Sequence, residues 1–190
     1  MTVQKEIEFK NLLTKEEFDH LCKGFGLVAE DFLSQTNTYF DTVDFQLRGA
    51  AKGFRLRVVN ERNELTLKAP GENIHTMIET TYLISADERD RIIDAGTIDP
   101  SLYKVFQQLP NKLNVFGSLR TERAEISYQD GLLVLDRSLY LGHTDYEIEY
   151  EVKDVVSGQQ SFLTLLKHYN IPTRKTPKKI ARFMKVAYEK

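Results

Sequence analysis

The chain has 190 residues and a mass of 22.0 kDa, with 41% hydrophobic and 28% charged residues, which is typical of one globular domain and excludes disordered and low-complexity proteins. Its formal charge of -2 at pH 7 and isoelectric point near 6.1 argue against a nucleic-acid partner, because such partners usually require a basic surface. No apolar stretch approaches the roughly 18 residues that cross a bilayer, and the first ten residues lack the apolar core of a signal peptide. We therefore expect a cytoplasmic protein with no membrane partner.

Most of the chain is predicted to form β-strands, because polar and apolar residues alternate with a period of two. The predicted strands are, in chain order, residues 6–10, 36–42, 54–58, 65–68, 74–84, 119–128, 132–136 and 145–152. Residues 60–63 and 129–131 are predicted to be turns, and the Asp-Gly pair in the second turn is a strong hairpin signal. The composition of the strands predicts a fold dominated by β-structure.

Capping boxes predict the first two helices. A Thr-x-x-Glu pattern at residues 14–17 predicts a helix that begins at the threonine. A Ser-x-x-Glu pattern at residues 85–88 predicts a second helical region, which continues to about Leu109 with a break at Pro100.

Two further helices are predicted near the end of the chain. Residues 161–169 have the spacing of an amphipathic helix, and Thr176 with Pro177 in the first turn is predicted to open the last helix. No repeat, linker or block of charge divides the sequence, which predicts a single domain over residues 1–190.

Charge is segregated by sign on the polar faces of the predicted strands. Residues two apart in a strand point to the same side, about 6.6 Å apart, so Glu6, Glu8 and Lys10 share a face opposite Ile7 and Phe9. The same rule groups Glu147, Glu149 and Glu151, then Arg55 with Arg57, and Thr66 with Lys68. Because adjacent like charges destabilise a sheet, basic side chains or metal ions are expected beside the carboxylates.

Two interpretations of this pattern stay open on the residues alone. In the first, an open sheet packs its apolar face on helices and exposes its charges to water, which is the usual explanation of such alternation. In the second, a closed sheet encloses a polar interior and the helices cover its apolar exterior. The segregation of sign favours the second interpretation, since a merely solvated surface tends to mix signs within a strand.

The pattern Glu6-x-Glu8-x-Lys10 resembles the N-terminal signature of the CYTH superfamily, the triphosphate tunnel metalloenzymes. The later motifs that resemble those of the family follow in the expected order: Tyr39-Phe40-Asp41-Thr42, Arg55-Leu56-Arg57, Thr66-Leu67-Lys68, Glu79, Arg123, Asp136, Glu147-Ile148-Glu149 and Lys179-x-x-Arg182. The resemblance covers essentially the whole chain and is greatest to small stand-alone YjbK-type members. It implies an α+β fold dominated by β, namely an eight-stranded closed antiparallel, barrel-like tunnel with helices packed outside.

The same resemblance implies that the partner is a triphosphate-containing small molecule, bound between basic side chains and a divalent metal. The expected substrate-binding residues are Arg55, Arg57, Lys68, Arg123, Lys179 and Arg182. The expected ligands of Mg²⁺ or Mn²⁺ are Glu6, Glu8, Asp136, Glu147, Glu149 and Glu151. Carboxylates are hard oxygen ligands suited to these ions, while arginine and lysine bind phosphate oxygens in complementary ways.

The expected activity is metal-dependent hydrolysis of the terminal phosphate of inorganic triphosphate or of a triphosphorylated organic compound. Glu147 or Glu149 is expected to orient the attacking water. Lys10 is expected either to stabilise the developing charge or to hold Glu6 and Glu8 apart. Two alternatives remain: an adenylate cyclase that makes cyclic AMP from ATP, and a sensor of polyphosphate or nucleotide that binds without turnover. The identity of the triphosphate and the oligomeric state, including a homodimer, are left open by the sequence.

Overall fold

The computed structural model describes residues 1–188, which form nine strands and five α-helices. The strands are β1 (Thr2–Leu13), β2 (Leu33–Asp41), β3 (Gly53–Val59), β4 (Arg62–Pro70), β5 (Thr76–Ile84), β6 (Thr97–Ile98), β7 (Leu113–Tyr128), β8 (Gly131–Tyr140) and β9 (His143–Val152). The helices are α1 (Lys15–Phe25), α2 (Gln46–Gly49), α3 (Ala86–Ala95), α4 (Val155–His168) and α5 (Lys179–Tyr188).

The strands belong to one sheet in which hydrogen-bonded neighbours follow the order β2-β3-β4-β5-β1-β9-β8-β7-β6. Strand β2 also pairs with β7, so eight strands form a closed ring of pairings and β6 is an extra strand beside β7. The predicted fold class, a closed eight-stranded antiparallel sheet with helices outside it, is confirmed. Closure removes the exposed edges that would otherwise template aggregation.

The chain divides into two compact units. The first unit contains Met1–Lys5 and Gln35–Leu119, and the second contains Glu6–Ser34 and Arg120–Lys190. Each unit has its own hydrophobic core.

The core of the second unit lies between three strands and two helices. Phe9 of β1, Leu135 of β8 and Ile148 of β9 meet Phe18 of α1 and Phe162 of α4. Burying each such side chain contributes about 1.5–3 kcal/mol. Because strand residues alternate, packing these apolar residues under α1 and α4 sends their charged neighbours to the opposite face.

The core of the first unit is built around aromatic residues. Phe54 of β3 is fully buried and its ring meets that of Phe106 edge to face, with centroids 5.1 Å apart. Leu65 of β4, Ile92 of α3 and Leu113 of β7 belong to the same cluster. Because strand residues alternate, the polar residues of β3 and β4 occupy the face opposite to the one that packs on α3.

The capping box predicted at the start of α1 is confirmed. The Thr14 side chain accepts a hydrogen bond from the backbone N–H of Glu17, and the Glu17 side chain accepts one from the backbone N–H of Thr14. The helix ends at Gly26, which adopts the left-handed conformation at φ 68° that terminates helices. Helix α4, in contrast, begins at Val155, earlier than the predicted 161, because Asp154 caps it through the backbone N–H of Ser157.

The prediction of helical structure to about Leu109 is wrong. Helix α3 ends at Ala95, where Gly96 turns into the left-handed region at φ 63° and donates its N–H to the carbonyl of Ile93. The short strand β6 and two 3-10 turns follow before β7. Glycine at this position stops the helix because it adopts the left-handed conformation without a steric cost.

The predicted start of the last helix is also wrong. Helix α5 begins at Lys179, and the hydroxyl of Thr176 accepts a hydrogen bond from the backbone N–H of Leu12 instead of capping a helix. A tertiary contact therefore replaces the local cap at this residue.

No helix formed by residues 1–188 combines the length and the apolarity that a membrane crossing requires.

Candidate functional site

Six charged side chains of the second unit form one ion-pair network, which we call the charge cluster. Its members are Arg123 of β7, Asp136 of β8, Glu147 and Glu149 of β9, and Lys179 and Arg182 of α5. The three carboxylates are almost completely buried, with exposed fractions of 0% for Asp136, 1% for Glu147 and 5% for Glu149. Three basic groups face three acidic groups, so the formal charges of the cluster cancel.

Strand register places the first members of the cluster together. Asp136 lies directly opposite Glu147 on β9 and opposite Arg123 on β7. Arg123 donates two hydrogen bonds to Asp136, of 2.8 and 2.7 Å, and a third of 3.0 Å to Glu149. This planar two-point contact is the geometry that makes arginine a strong partner of carboxylates and phosphates.

Lys179 joins all three carboxylates. Its Nζ lies 2.8 Å from Asp136 Oδ2, 2.8 Å from Glu149 Oε1 and 3.4 Å from Glu147 Oε2. A single ammonium group therefore neutralises acidic side chains of two neighbouring strands.

Arg182 connects the cluster to the start of β9. Its Nη2 donates to Glu147, its Nε donates to Asp145 at 2.8 Å, and its Nη1 donates to the carbonyl of Pro177 at 2.6 Å. The hydroxyl of Tyr140 donates a hydrogen bond to the same Asp145 oxygen that accepts from Arg182. Each nitrogen of the Arg182 guanidinium thus has a protein partner.

Lys10 and Glu8 of β1 adjoin the charge cluster. Lys10 is directly opposite Glu149 in the register of β1 and β9, and its Nζ lies 3.7 Å from Glu149 Oε1 and 2.7 Å from Glu8 Oε1. Glu8 is itself opposite Glu151. The structure therefore brings the predicted metal ligands Glu8 and Glu151 to neighbouring strands, while Glu6 lies one step earlier on the same face of β1.

Burial and charge act in opposite directions on the pKa values of the cluster. Burial alone would raise the pKa of Glu149, but Lys179, Lys10 and Arg123 outweigh it and hold that pKa well below its usual range. Asp136 follows the same pattern, since Arg123 and Lys179 overcome its burial and lower its pKa. Both carboxylates are therefore ionised at neutral pH.

Glu147 behaves differently. Burial raises the pKa of its carboxyl above the usual value, and Lys179 offsets this shift only in part because the charge of Glu149 reinforces it. Its Oε2 is held by Arg182 and Lys179, while its Oε1 is buried without a hydrogen-bond partner among residues 1–188. Leaving such an oxygen unsatisfied costs about 1–3 kcal/mol, which a bound ligand would recover.

The fit of the site to a divalent ion rests on this oxygen. Carboxylates are the donors that Mg²⁺ and Mn²⁺ prefer, and Glu147 Oε1 offers one open position. Within residues 1–188 no three acidic, histidine or cysteine side chains are already arranged around a common point, because Asp136 and Glu149 are directed to Arg123 and Lys179. The donor types therefore fit the ion, and its arrival would require these ion pairs to rearrange.

The predicted cations of the first unit lie on the polar face of β3 and β4. Arg55 Nη2 donates to Glu79 at 2.8 Å, and Arg57 Nε donates to Asn37 at 3.1 Å. Lys68 is opposite Glu79 in the register of β4 and β5. The structure brings Arg55 and Lys68 to the same acidic residue, and their assignment to substrate stays a prediction.

Two residues beside the charge cluster, Asp145 and Asn11, were not predicted from the sequence as site residues. Asp145 lies two residues before Glu147 and so continues the acidic face of β9. The period-two spacing in the sequence could therefore have predicted it. Asn11 occupies a position of β1 where alternation after Ile7 and Phe9 calls for an apolar side chain, yet it is only 1% exposed. A buried polar residue in an apolar position requires a partner, and no local pattern identifies that partner.

Comparison with known proteins agrees with the geometry. The family model described as the CYTH domain matches residues 4–184. YjbK of Bacillus subtilis, named provisionally as a triphosphatase, is 40% identical over 185 residues, which are 96% of this chain and 96% of that protein.

Solved structures show the same fold. A protein of Bacillus halodurans, named provisionally as an adenylate cyclase, is 35% identical and superposes with a TM-score of 0.88 over 96% of this chain and 99% of its own. HpAC1 from Hippeastrum is 21% identical, with a TM-score of 0.74 over 96% of this chain and 95% of its own. HpAC1 is named provisionally as an adenylyl cyclase and is described as having a dominant triphosphatase activity.

Proposed function

Because the chain belongs to the CYTH domain family, we propose that it is a metal-dependent triphosphatase that removes the terminal phosphate of inorganic triphosphate or of a triphosphorylated organic compound. The observation that supports this proposal most is the charge cluster, in which buried carboxylates and cations alternate within hydrogen-bond distance. The 40% identity to YjbK, named provisionally as a triphosphatase, points to the same reaction.

The cations of the cluster are suited to bind phosphate. Arg123 and Lys179 each contact two or more carboxylates. Phosphate oxygens can replace some of these partners and keep the cations paired, while a bound metal ion would pair the carboxylates that are displaced. Arginine gives two-point contacts, whereas lysine is a mobile point charge. Together these residues would hold adjoining phosphoryl groups at different angles.

The carboxylates are suited to hold metal and water. When bound, Mg²⁺ or Mn²⁺ would neutralise phosphate oxygens and polarise the attacking water. We expect the ion to be held by Glu147, Glu149 and Glu8. Glu147 would use Oε1, which has no protein partner among the described residues, to accept a hydrogen bond from water or to bind the ion. Lys10, near Glu8 and Glu149, would stabilise charge that develops on the phosphate.

A direct assay tests the proposal. Phosphate release is measured from inorganic triphosphate, ATP and thiamine triphosphate, each with Mg²⁺, with Mn²⁺ and with a chelator. We expect metal-dependent release by the wild-type chain, and a loss of at least a hundredfold in Glu147→Gln and Glu149→Gln. Glu30→Gln is the control, because Glu30 is an exposed acidic residue of the same unit and the substitution removes the same charge. Release that is unchanged in both cluster variants would contradict the proposal.

A cyclase is the second candidate, because the Bacillus halodurans protein named provisionally as an adenylate cyclase is 35% identical to this chain. Both reactions require bound triphosphate and metal, so the cluster alone does not separate them. Cyclisation predicts cyclic AMP and diphosphate from ATP, whereas hydrolysis predicts phosphate release from inorganic triphosphate, which has no ribose. Tight binding of triphosphate with neither product would identify a sensor.

A further inference from the structure

Residues 171–178 connect α4 to α5 without forming a helix or a strand; we call this segment the strap. Lys179, which contacts all three carboxylates of the charge cluster, follows it immediately. The strap therefore determines where α5 begins and where the Lys179 ammonium can reach.

The backbone of the strap is tied to the end of β1. The side chain of Asn11 donates to the carbonyl of Pro172 at 3.0 Å and accepts from the backbone N–H of Arg174 at 2.6 Å. The hydroxyl of Thr176 accepts from the backbone N–H of Leu12 at 2.9 Å. Asn11 is 1% exposed, so its bonds are shielded from water.

The Arg174 side chain adds a second tie, to α1. Its Nη1 and Nη2 donate to the two carboxylate oxygens of Glu17 at 2.7 and 2.8 Å, and Nη1 also donates to the carbonyl of Leu12 at 2.9 Å. Glu17 is already fixed by the capping box of α1. A two-point contact to a fixed carboxylate is among the stronger hydrogen-bonded pairs.

These ties shorten the chain that carries Lys179. Thr176 precedes Lys179 by three residues, which span at most about 10 Å when extended. Apart from the carbonyl of Pro177, whose partner Arg182 belongs to α5 itself, the nearest preceding anchor without the ties is Ile171, which is buried and bonded to Leu166. The tether would then be eight residues, about 28 Å, and the effective concentration of Lys179 at the cluster would fall about fourfold by the −3/2 power of tether length.

We propose that Asn11, Arg174 and Thr176 are positioning residues that hold Lys179 at the charge cluster and thereby set the efficiency of turnover. This inference rests on the proposed function for its kinetic consequence. Asn11 binds the strap from β1, while Arg174 and Thr176 bind from the strap to α1 and β1. All three act on the substrate through Lys179.

The double variant Arg174→Ala/Thr176→Val tests the proposal, because it removes the ties made by the Arg174 side chain and the Thr176 hydroxyl and leaves Lys179 in place. The bond from the backbone N–H of residue 174 to Asn11 remains and becomes the nearest preceding anchor. The tether then lengthens from three residues to five, so we expect kcat/KM for the substrate found in the phosphate-release assay to fall about twofold by the −3/2 power of tether length. Arg174→Lys/Thr176→Ser, which keeps a cation and a hydroxyl, should restore most of the loss. Lys175→Ala is the control, since Lys175 is an exposed cation of the same strap and its removal should leave kcat/KM within about 1.5-fold of the wild type.

A cycle with Lys179→Ala separates positioning from general destabilisation. If the ties act through Lys179, removing them in the Lys179→Ala background should change kcat/KM by less than 1.5-fold. The proposal would be overturned if kcat/KM fell by the same factor in the Lys179→Ala background as in the wild-type background. It would also be overturned if Arg174→Ala/Thr176→Val had wild-type kinetics.

Hydrogen exchange gives a readout that does not depend on activity. We expect the amides of α5 to exchange faster in Arg174→Ala/Thr176→Val than in the wild type, while those of α4 exchange at the wild-type rate. If the wild-type chain hydrolyses no triphosphate, the proposed function fails and this measurement decides on the ties: faster exchange confined to α5 supports them, and unchanged exchange overturns them.

Discussion

The two units both carry charge on one face of antiparallel strands, but they neutralise it in different ways. In the first unit the partners come from nearby strands, as when Arg55 of β3 donates to Glu79 of β5. In the second unit the carboxylates of β8 and β9 are neutralised partly by Lys179 and Arg182, which come from the last helix. The charge of a sheet can thus be neutralised by neighbouring strands or by a segment that is distant in the sequence. In the second unit, neutralisation of the carboxylates therefore depends on the position of α5.

The largest expected difference concerns stability. Asp136→Ala removes a fully buried carboxylate that accepts from both Arg123 and Lys179. Leaving these cations without a partner should lower the free energy of unfolding by about 3–5 kcal/mol. Glu79→Ala in the first unit, whose carboxylate is partly exposed, should cost about 1.5–3 kcal/mol. Urea unfolding of both variants checks the order, and equal losses would contradict it.

The next comparison concerns substrate. Arg55→Ala and Arg57→Ala should each lower kcat/KM for triphosphate about tenfold if these cations contact phosphate oxygens, as charge-assisted contacts of this kind contribute about 1.5 kcal/mol or more. Arg91→Ala is the control, because Arg91 is an exposed arginine of α3 in the same unit, and its side chain donates to the carbonyl of Asp87 in its own helix. Kinetics indistinguishable from the wild type in both arginine variants would refute their assignment to substrate.

A pH titration should detect the tie between Arg174 and Glu17 in the second unit. The hydrogen bonds from Arg174 lower the pKa of Glu17 below its ordinary value of 4.5. A lowered pKa means that Glu17 stabilises the fold above pH 4.5 and that this contribution is lost as the pH falls through the folded-state pKa. Glu17→Gln should therefore be less stable than the wild type by about 1 kcal/mol at pH 7.

The difference between wild type and Glu17→Gln should shrink towards zero as the solution is acidified below pH 4.5. Chemical unfolding at several pH values measures it. Glu61→Gln, in an exposed turn of the first unit, is the reference and should show no comparable change. A gap between wild type and Glu17→Gln that widens in acid would contradict the interpretation.

The smallest expected effects come from two tyrosines that make the same contact in different units. Tyr140 donates its hydroxyl to Asp145 and Tyr103 donates its hydroxyl to Glu88. Burial and the neighbouring carboxylate raise the pKa of each phenol. Each Tyr→Phe substitution should lower stability by about 1 kcal/mol.

Only Tyr140→Phe should also affect catalysis, because Asp145 holds the Nε of Arg182, whereas Tyr103 contacts no member of the charge cluster among the described residues. Thermal unfolding with steady-state kinetics checks both statements. A kinetic change of the same size in Tyr103→Phe would indicate that the effect arises from lost stability alone.

Much of the fold was predictable because its signals are local. Alternation of polar and apolar residues located eight of the nine strands in part or whole and missed the extra two-residue β6, while β2 and β7 extend further towards the N-terminus than predicted. The helix prediction failed over residues 96–109 because it continued past a glycine that ends the helix. There Gly96 adopts the left-handed conformation that ends α3.

The charge cluster was predictable as a set of residues and not as a set of contacts, and the roles of these residues in catalysis stay a prediction. Period-two spacing grouped Glu147 with Glu149, and the family resemblance added Asp136, Arg123 and Lys179. Which carboxylate each cation would bind depends on register between strands and on the path of the strap. Arg182 is the clearest case, since its contacts to Asp145, Glu147 and the carbonyl of Pro177 follow from no local pattern.

By itself, the sequence determined the β-dominated fold, the N-terminal cap of α1 and the face on which each charged residue of a strand lies. These properties depend on the backbone period and on contacts within a few residues. The tertiary structure alone decided that Thr176 and Arg174 bind β1 and α1, and that Lys179 reaches three carboxylates. The physical reason is that a buried charge is stabilised by whichever opposite charge the folded chain brings within about 3 Å, and the sequence distance between such partners carries no signal.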